Sequence, residues 1–305
     1  MDRRKRGCQA ALVALLIASA PTASLARANI PADGAPPTHR RHHVHPRSNE
    51  PQLRSTSALV VDETHSSVLL ARHADQPMPI ASITKLLTAL VVADAGQALD
   101  ERVQITREDC SIGRGAASRL AVGTTLTRGD LIHLALMSSE NRAAHALARN
   151  YPGGLPAFVR AMNAKAQALG MSSAHFVDPT GLSSENVASA EDLSRLVSAA
   201  ARNDIIREYS TDRGYAVRVG RRMVQFRNTD SLVSNPTWNI IVQKTGYITE
   251  AGRCLVMQAV IEGRNVVIVL LNSFGKNTRV ADARRIRRWM EATLARSAHA
   301  ADSKV

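Results

Sequence analysis

The sequence predicts an α/β fold of the α+β type, in which an antiparallel sheet is flanked by helices and carries an all-helical insertion. Three observations support this prediction. β-Branched and aliphatic runs at 57–62 and 67–72 flank a polar turn, helical patterns fill the middle of the 305-residue chain, and strand-like runs return after residue 238. A block of helices between two groups of strands is typical of domains whose helices cover an antiparallel sheet.

The helical block begins directly after the first hairpin. A pattern at 81–95 places four apolar side chains on one helical face, namely Leu86, Leu87, Leu90 and Val91. Four further helical patterns cover residues 127–138, 140–150, 154–169 and 189–202. Proline and glycine at 151–154 and 178–181 mark turns between them, so the block is predicted to be helical throughout.

The sheet is completed near the C-terminus. Strand-like runs at 238–244, 254–261 and 265–271 predict a meander with a tight turn at 262–264. A last helical pattern, at 278–296, is expected to cover one face of this sheet.

The first 28 residues are predicted to be a secretory signal peptide. Basic residues at 3–6 precede an apolar run at 10–20, and small residues at 26–28 offer a cleavage point. An uncleaved membrane anchor is the alternative, but the apolar run is shorter than the roughly 20 residues that a spanning helix needs. We therefore expect a periplasmic protein.

Three segments follow the signal peptide. Residues 29–55 are rich in proline, arginine and histidine and predict a disordered linker, because they have almost no apolar side chains to bury. A folded domain is expected at 56–296, which is long enough for a substantial core, and a flexible tail at 297–305.

The charge and the cysteines limit the possible surroundings. The formal charge of +13 falls to about +9 once a signal peptide is removed, which favours polyanionic neighbours. Export argues against nucleic acid and favours loose association with the anionic cell envelope.

Cys110 and Cys254 remain after processing, and whether they pair is open, although the apolar surroundings of Cys254 favour a buried free thiol.

Three motifs in one order carry the chemistry. The first is Ser82-Ile83-Thr84-Lys85, in which Lys85 can reach Ser82 because residues three apart share a helical face. A serine is a weak nucleophile until a base takes its proton, and a lysine can do so near neutral pH only if its pKa is depressed. Burial or a second cation could depress it, and Lys244 is the candidate cation.

The other two motifs add polar groups to this pair. Ser139-Glu140-Asn141 falls in a turn between two helical patterns, where a hydroxyl could relay a proton and an amide could bind a carbonyl or hold the lysine. Lys244-Thr245-Gly246 ends an apolar strand. Its cation and hydroxyl could bind a carboxylate, and its glycine would let a substrate backbone approach closely.

Two other segments repeat these patterns. Residues 273–276 also read Ser-x-x-Lys, and residues 184–186 also read Ser-Glu-Asn. The first ends a strand and the second lies in a loop, and neither has partner motifs in the required order. We expect neither to act in catalysis.

The motifs and their flanking residues are similar to those of low-molecular-mass penicillin-binding proteins, in particular the D-alanyl-D-alanine endopeptidases. The resemblance covers about 57–289. It rests on the stretches 78–86, 136–144, 151–154, 162–165, 226–229, 244–247 and 251–255.

The resemblance implies a β-lactamase/transpeptidase-like fold and a serine peptidase that cleaves D-alanyl peptide cross-links in peptidoglycan, with neither metal nor cofactor. Its catalytic residues would be Ser82 as nucleophile, Lys85 as base, and Ser139. The substrate-binding set would be Asn141, Lys244, Thr245, Gly246 and Tyr247. The backbone N–H groups of Ser82 and Tyr247 would form the oxyanion hole.

The chain departs from better-known relatives at two points. Glu140 stands where β-lactamases often have aspartate, and no glutamate is recognisable that would activate a deacylating water as in class A β-lactamases. We therefore expect β-lactams to inhibit the protein and not to be destroyed by it. The chain also ends soon after the last helix, without the extra β-domain of many carboxypeptidases, which favours an endopeptidase.

Three alternatives remain at this point. A D-alanyl-D-alanine carboxypeptidase is the nearest, and a penicillin-binding sensor without turnover is the second. A zinc peptidase is disfavoured because the histidines are scattered and no His-Glu-x-x-His pattern occurs. The sequence leaves the oligomeric state open.

Overall fold

The computed structural model describes residues 50–110 and 118–302, with side chains described as far as residue 296. The predicted signal peptide at 1–28, most of the predicted linker and residues 303–305 lie outside the described residues. Within the described part of the chain, no helix is both long enough and apolar enough to cross a membrane.

The described strands and helices follow one another in groups along the chain. The strands are β1 (Ser55–Asp62), β2 (Ser67–Arg72), β3 (Met78–Pro79), β4 (Arg102–Gln104), β5 (Thr125–Thr127), β6 (Val187–Ala188), β7 (Gly214–Val219), β8 (Arg222–Arg227), β9 (Asn239–Ile248), β10 (Gly252–Ile261) and β11 (Arg264–Ser273). The helices are α1 (Thr84–Asp94), α2 (Arg128–Met137), α3 (Asn141–Arg149), α4 (Gly154–Ala168), α5 (Ala190–Ala200), α6 (Asp204–Thr211) and α7 (Thr278–Asp302).

Five strands form one antiparallel sheet in the order β2-β1-β11-β10-β9. The predicted hairpin and the predicted meander are both present. Glu262 and Gly263 join β10 to β11 with φ angles of 49° and 73°, as a two-residue turn with two left-handed positions requires. β9 is an edge strand, and among the described residues no strand pairs with its outer side.

Two apolar cores pack on the two faces of the sheet. Alternate side chains of a strand point to opposite faces, and β10 sends Leu255 and Met257 into the core beneath α7. The intervening Cys254 and Val256 join the larger core, which also contains residues of α1 to α5. The predicted closing helix therefore covers one face, and the helical block covers the other.

Helix α1 lies at the centre of the larger core. All nine residues from Thr84 to Val92 are buried, although the sequence pattern indicated one apolar face. The reason is its position, since α2, α3, α4, α5 and α6 surround it. A helix that is enclosed on every side cannot show an amphipathic pattern.

The insertion is mainly helical but not all-helical. Three two-stranded ribbons occur in it, formed by β3 with β6, β4 with β5, and β7 with β8, and the short helix α6 was not predicted. In two of the ribbons the strands have only two or three residues and leave no periodic signal, and β3 pairs with a partner more than 100 residues away in the sequence. β7 and β8 have six residues each and form a hairpin that was also not predicted.

The element boundaries also differ from the predicted domain limits. Leu53 is buried and Ser55 begins β1, so the fold starts before residue 56, within the predicted linker. β9 continues to Ile248, and α7 continues to Asp302, past the predicted end at 296. Cys110 is exposed and Cys254 is buried, and both are free thiols.

Candidate active site

Ser82 lies in a 3₁₀ turn, Ala81–Ile83, directly before α1, and not in the first turn of an α-helix as predicted. The turn is strained at Ala81, whose φ of 49° is unusual for a residue with a side chain. The hydroxyl of Thr84 donates a hydrogen bond of 2.8 Å to the Ala81 carbonyl. Gly181 packs so closely that a Cβ there would lie 1.9 Å from the same carbonyl oxygen. These contacts hold Ser82 in place.

Lys85 reaches three oxygen atoms with its amine. Its Nζ lies 2.8 Å from Ser82 Oγ, 2.6 Å from Asn141 Oδ1 and 2.6 Å from the Thr180 carbonyl oxygen. The carbonyl oxygens of Asn141 and Thr180 can only accept hydrogen bonds. A neutral amine has two N–H groups, so both are used by these carbonyls and its lone pair faces the Ser82 hydroxyl. In this state Lys85 can accept the serine proton.

Because Lys85 is buried, a substantial fraction of its amine is neutral near pH 7. Lys85 is fully buried, and desolvation lowers its pKa to about 7, against a smaller raising effect of the Asp178 and Glu140 charges. Burial is thus the main cause, and not the second cation that the sequence suggested. Glu140 is itself buried, which raises its pKa, and it accepts a hydrogen bond from the Ser118 hydroxyl.

The second motif lies in the turn between α2 and α3. Ser139 adopts a left-handed conformation with φ of 61°, and Asn141 begins α3. Lys244 Nζ donates a 2.9 Å hydrogen bond to Ser139 Oγ and a 2.8 Å hydrogen bond to the Thr245 carbonyl. Lys244 is also fully buried, and burial, followed by the charges of Lys85 and Arg279, lowers its pKa well below the usual value. The three motifs therefore meet at one place.

The third motif lies inside β9 and not at a strand end. Thr245 is fixed by a 2.6 Å hydrogen bond to the hydroxyl of Thr229. A Cβ on Gly246 would lie 2.8 Å from the Ile80 carbonyl oxygen and 3.2 Å from the Ser82 nitrogen. The turn that carries Ser82 therefore approaches this glycine closely.

Tyr247 follows Gly246 on the same edge strand. This residue is 55% exposed. The Arg253 guanidinium carbon lies 4.6 Å from the centre of this ring. Such stacking of a cation on an aromatic face is stabilising and orients the arginine.

The loop at 178–183 contributes to the site, although the sequence indicated only a turn. Asp178 accepts hydrogen bonds from the backbone N–H groups of Thr180, Gly181 and Ser183 at 2.6, 2.8 and 3.0 Å. This arrangement directs the Thr180 carbonyl toward Lys85. A backbone carbonyl carries no sequence signal, and only the turn-forming residues could have pointed to the loop.

Neither repeated pattern takes part in the site. Asn186, from the second Ser-Glu-Asn, is buried and accepts hydrogen bonds from the N–H groups of Val177 and Asp178. It also donates to Thr84 Oγ1 at 3.1 Å, so it braces the loop against the first motif. Ser273 is the buried last residue of β11.

Arg279, near the start of α7, is a site residue that sequence reasoning missed. Its Nε and Nη1 atoms are buried and have no hydrogen-bond partner among the described residues. Its charge lowers the pKa of Lys244, and the buried Asp230 acts on both cations in the opposite sense. The site therefore contains unsatisfied cationic donors that suit an anionic ligand. No cluster of three metal-ligating side chains occurs in the described ranges.

Comparisons with known proteins show similarity to one family of peptidases. A family model described as peptidase S11, D-alanyl-D-alanine carboxypeptidase, matches residues 44–275. A D-alanyl-D-alanine endopeptidase of Pseudomonas aeruginosa is 50% identical over 79% of this chain and 78% of its own length. One from Escherichia coli K12 is 44% identical over 80% of this chain and 79% of its own length.

Solved structures show the same fold. The Streptomyces K15 DD-transpeptidase aligns with a TM-score of 0.74 and 26% identity, covering 80% of this chain and 99% of its own. A D-alanyl-D-alanine carboxypeptidase from Mycobacterium tuberculosis aligns with a TM-score of 0.71 and 28% identity, covering 79% of this chain and 92% of its own. The predicted fold, an antiparallel sheet flanked by helices, is confirmed.

Proposed function

Because the chain belongs to the peptidase S11 family, we propose that it is a serine D,D-endopeptidase that cleaves D-alanyl cross-links in peptidoglycan. One observation carries the catalytic part of this proposal, namely the Lys85 amine directed at Ser82 Oγ with both of its N–H groups committed elsewhere. The identity of 44–50% to relatives named endopeptidases supports the choice of substrate.

Acylation begins when Lys85 takes the Ser82 proton and the serine oxygen attacks the D-alanyl carbonyl carbon. The carbonyl oxygen becomes negatively charged, and the backbone N–H groups of Ser82 and Tyr247 bind it. A donor in such an oxyanion hole typically contributes about 3 kcal/mol to lowering the barrier. Gly246 packs the turn of Ser82 against β9, so the two N–H groups belong to segments in direct contact.

The leaving nitrogen needs a proton before the peptide bond can break. Ser139, held by Lys244, supplies it from its hydroxyl. The proton that Lys85 took from Ser82 then restores the Ser139 hydroxyl, so Lys85 is neutral again. The amine product leaves, and Ser82 carries the acyl group as an ester. A water molecule then hydrolyses the ester, with Lys85 as the base once more.

The substrate carboxylate next to the scissile nitrogen binds at the cationic side of the site. Thr245 offers a hydroxyl, and Lys244 and Arg279 offer positive charge. Two buried Arg279 donors have no partner in the part of the chain that the structure describes, and a carboxylate would satisfy them as a planar, two-oxygen acceptor.

β-Lactams would acylate Ser82 by the same attack, but the acyl group would leave slowly. The amine released by ring opening stays tethered to the inhibitor and blocks the path of water. The two carboxylates that act on Lys85 are already engaged, Glu140 by the Ser118 hydroxyl and Asp178 by backbone N–H groups. Neither is free to activate a deacylating water.

Peptidoglycan lies outside the inner membrane, so the proposal requires export. The signal peptide predicted at 1–28 would deliver the domain to the periplasm. The basic charge that remains would favour loose association with the anionic envelope, and it does not require a nucleic acid partner.

A D,D-carboxypeptidase is the second candidate, because the description of the family model names that activity. The two differ only in what leaves, since a carboxypeptidase releases a single D-alanine and an endopeptidase releases a second peptide strand. Both use the acyl-enzyme on Ser82.

Purified cross-linked peptide dimers and pentapeptide monomers separate the two candidates. We expect the protein to cleave the dimers, and we expect Ser82→Ala to abolish both this cleavage and labelling by fluorescent penicillin. Release of the terminal D-alanine from monomers, without cleavage of dimers, would make the protein a carboxypeptidase. Stable labelling without cleavage of either substrate would make it a sensor.

A further inference from the structure

Arg253, on β10, is a cation beside the active site that the proposed reaction does not use. It lies directly opposite Tyr247 in the strand register and stacks on the exposed Tyr247 ring. Within the described part of the chain, no carboxylate pairs with it. An arginine that is oriented by an aromatic ring and has no anionic partner is suited to binding an anionic group from outside.

Arg253 shares a face of the sheet with Thr245. Leu255 pairs with Thr245 and belongs to the core beneath α7, and side chains two residues apart point to the same face. Thr245, Tyr247 and Arg253 therefore form a continuous surface on that side. Tyr247 lies about 7 Å beyond Thr245 along β9, at the usual rise of an extended strand.

A strand whose first carboxylate binds at Thr245, Lys244 and Arg279 would reach Arg253 by passing along this surface. Arg253 lies close enough to Arg279 for its charge to lower the pKa of that side chain. Positive charge thus extends from the carboxylate subsite to the end of β9.

We propose that Arg253, stacked on Tyr247, binds a further carboxylate on the second peptide strand and thereby favours cross-links over monomers. The inference rests on the proposed endopeptidase function and identifies how the site recognises the strand that leaves. A monomer releases D-alanine, whose one carboxylate is already bound at Thr245. It offers Arg253 nothing to bind, whereas the acceptor strand of a dimer carries additional carboxylates.

Three substrates test the proposal on the full-length protein. They are a cross-linked dimer with free carboxylates on its acceptor strand, the same dimer with those carboxylates amidated except the one beside the scissile nitrogen, and a pentapeptide monomer. We expect Arg253→Gln to lower kcat/KM about tenfold for the dimer with free carboxylates, called the free dimer below. The reason is that the variant loses one hydrogen bond to a charged group. Amidation should cause a similar loss in the unmodified protein.

The decisive comparison is between the two dimers. Arg253→Gln should cause no further loss on the amidated dimer, and Arg253→Lys should restore part of the preference for the free dimer. Arg284→Gln is the matched control, because Arg284 is an exposed arginine that lies near Trp238, at the opposite end of β9. It should leave the ratio of dimer to monomer cleavage unchanged.

A merely structural role for Arg253 predicts a different result. Equal losses on all three substrates, or equal losses on the free and the amidated dimer, would overturn the role of Arg253 and leave the endopeptidase function standing. If the unmodified protein cleaves neither dimer, both the endopeptidase function and this inference are wrong.

Discussion

Among single residues, Lys85 shows most clearly how burial creates reactivity. An exposed lysine would be protonated at neutral pH and would have no lone pair for the Ser82 hydroxyl. Desolvation shifts the balance, while the Asn141 and Thr180 carbonyls orient the amine that results. Position and protonation state are thus set by the same surroundings.

The pKa of Lys85 predicts the pH dependence of acylation. Below about 7 the amine is increasingly protonated and cannot take the Ser82 proton. The rate constant for labelling by fluorescent penicillin should therefore rise about tenfold per pH unit below this value and level off above it. Labelling over a range of pH measures this profile, and a rate that falls as pH rises through 7 would contradict Lys85 as the base.

Gly246 has a packing role that the sequence did not predict. Its missing side chain accommodates the Ile80 carbonyl and the turn of Ser82. Gly246→Ala should displace the turn and slow acylation about a hundredfold, since small misplacements of reacting groups have effects of that size. Gly129→Ala is the control, because a Cβ there would meet its neighbours at ordinary distances of 3.4 Å or more. Equal rates for the two variants would contradict this role.

Among the elements, the loop at 178–183 connects backbone geometry to the protonation of Lys85. Asp178 holds the loop through N–H groups and also raises the pKa of Lys85 by its charge. Asp178→Asn keeps the shape of the side chain but removes the charge. The midpoint of the acylation profile should move to lower pH, and the plateau rate should fall roughly tenfold as charged hydrogen bonds are lost.

The loop offers its own control for that experiment. Glu185 is an exposed acid a few residues away, and it does not act on Lys85. Glu185→Gln should leave the pH profile where it is. If Asp178→Asn also leaves the midpoint unchanged while lowering the rate, the loop positions Thr180 but does not tune the base.

What the sequence could predict depends on whether a role belongs to a side chain or to the backbone. Ser82, Lys85, Ser139 and Lys244 were predicted because their residue types and spacing express their chemistry. The Thr180 carbonyl and the strained turn at Ala81 arise from tertiary contacts, and no local pattern encodes them.

The same distinction applies to the elements of the fold. The hairpin, the meander and the long helices have strong periodic patterns, and they lie close to their predicted positions. The ribbon of β3 and β6 depends on pairing between distant segments, and α1 lost its expected amphipathic pattern because neighbours enclose it. Burial on all sides is a property of the assembled core and not of the helix sequence.

At the scale of the whole molecule, the sheet separates two cores with different tasks. The core that contains α1 holds the turn of Ser82, the loop at 178–183 and the first two motifs. The core beneath α7 supports the opposite face, and Ile286 is fully buried there. Arg279, near the start of α7, belongs to the site, but Ile286 lies about two helical turns further along the helix. A change in the second core at Ile286 should therefore reduce stability without reaching the chemistry.

Two substitutions that shorten a buried side chain test this separation. Ile286→Ala should lower the free energy of unfolding by about 2–5 kcal/mol, as large-to-small changes in a core do. Its acylation rate, measured well below the unfolding transition, should stay within about twofold of the original, because distant sites act independently. Leu87→Ala, in the buried helix α1, should destabilise the protein by a similar amount and also slow acylation, because α1 carries Lys85. Thermal unfolding and penicillin labelling of both variants decide the matter. Equal slowing of acylation in the two would mean that the sheet transmits packing defects from one core to the other.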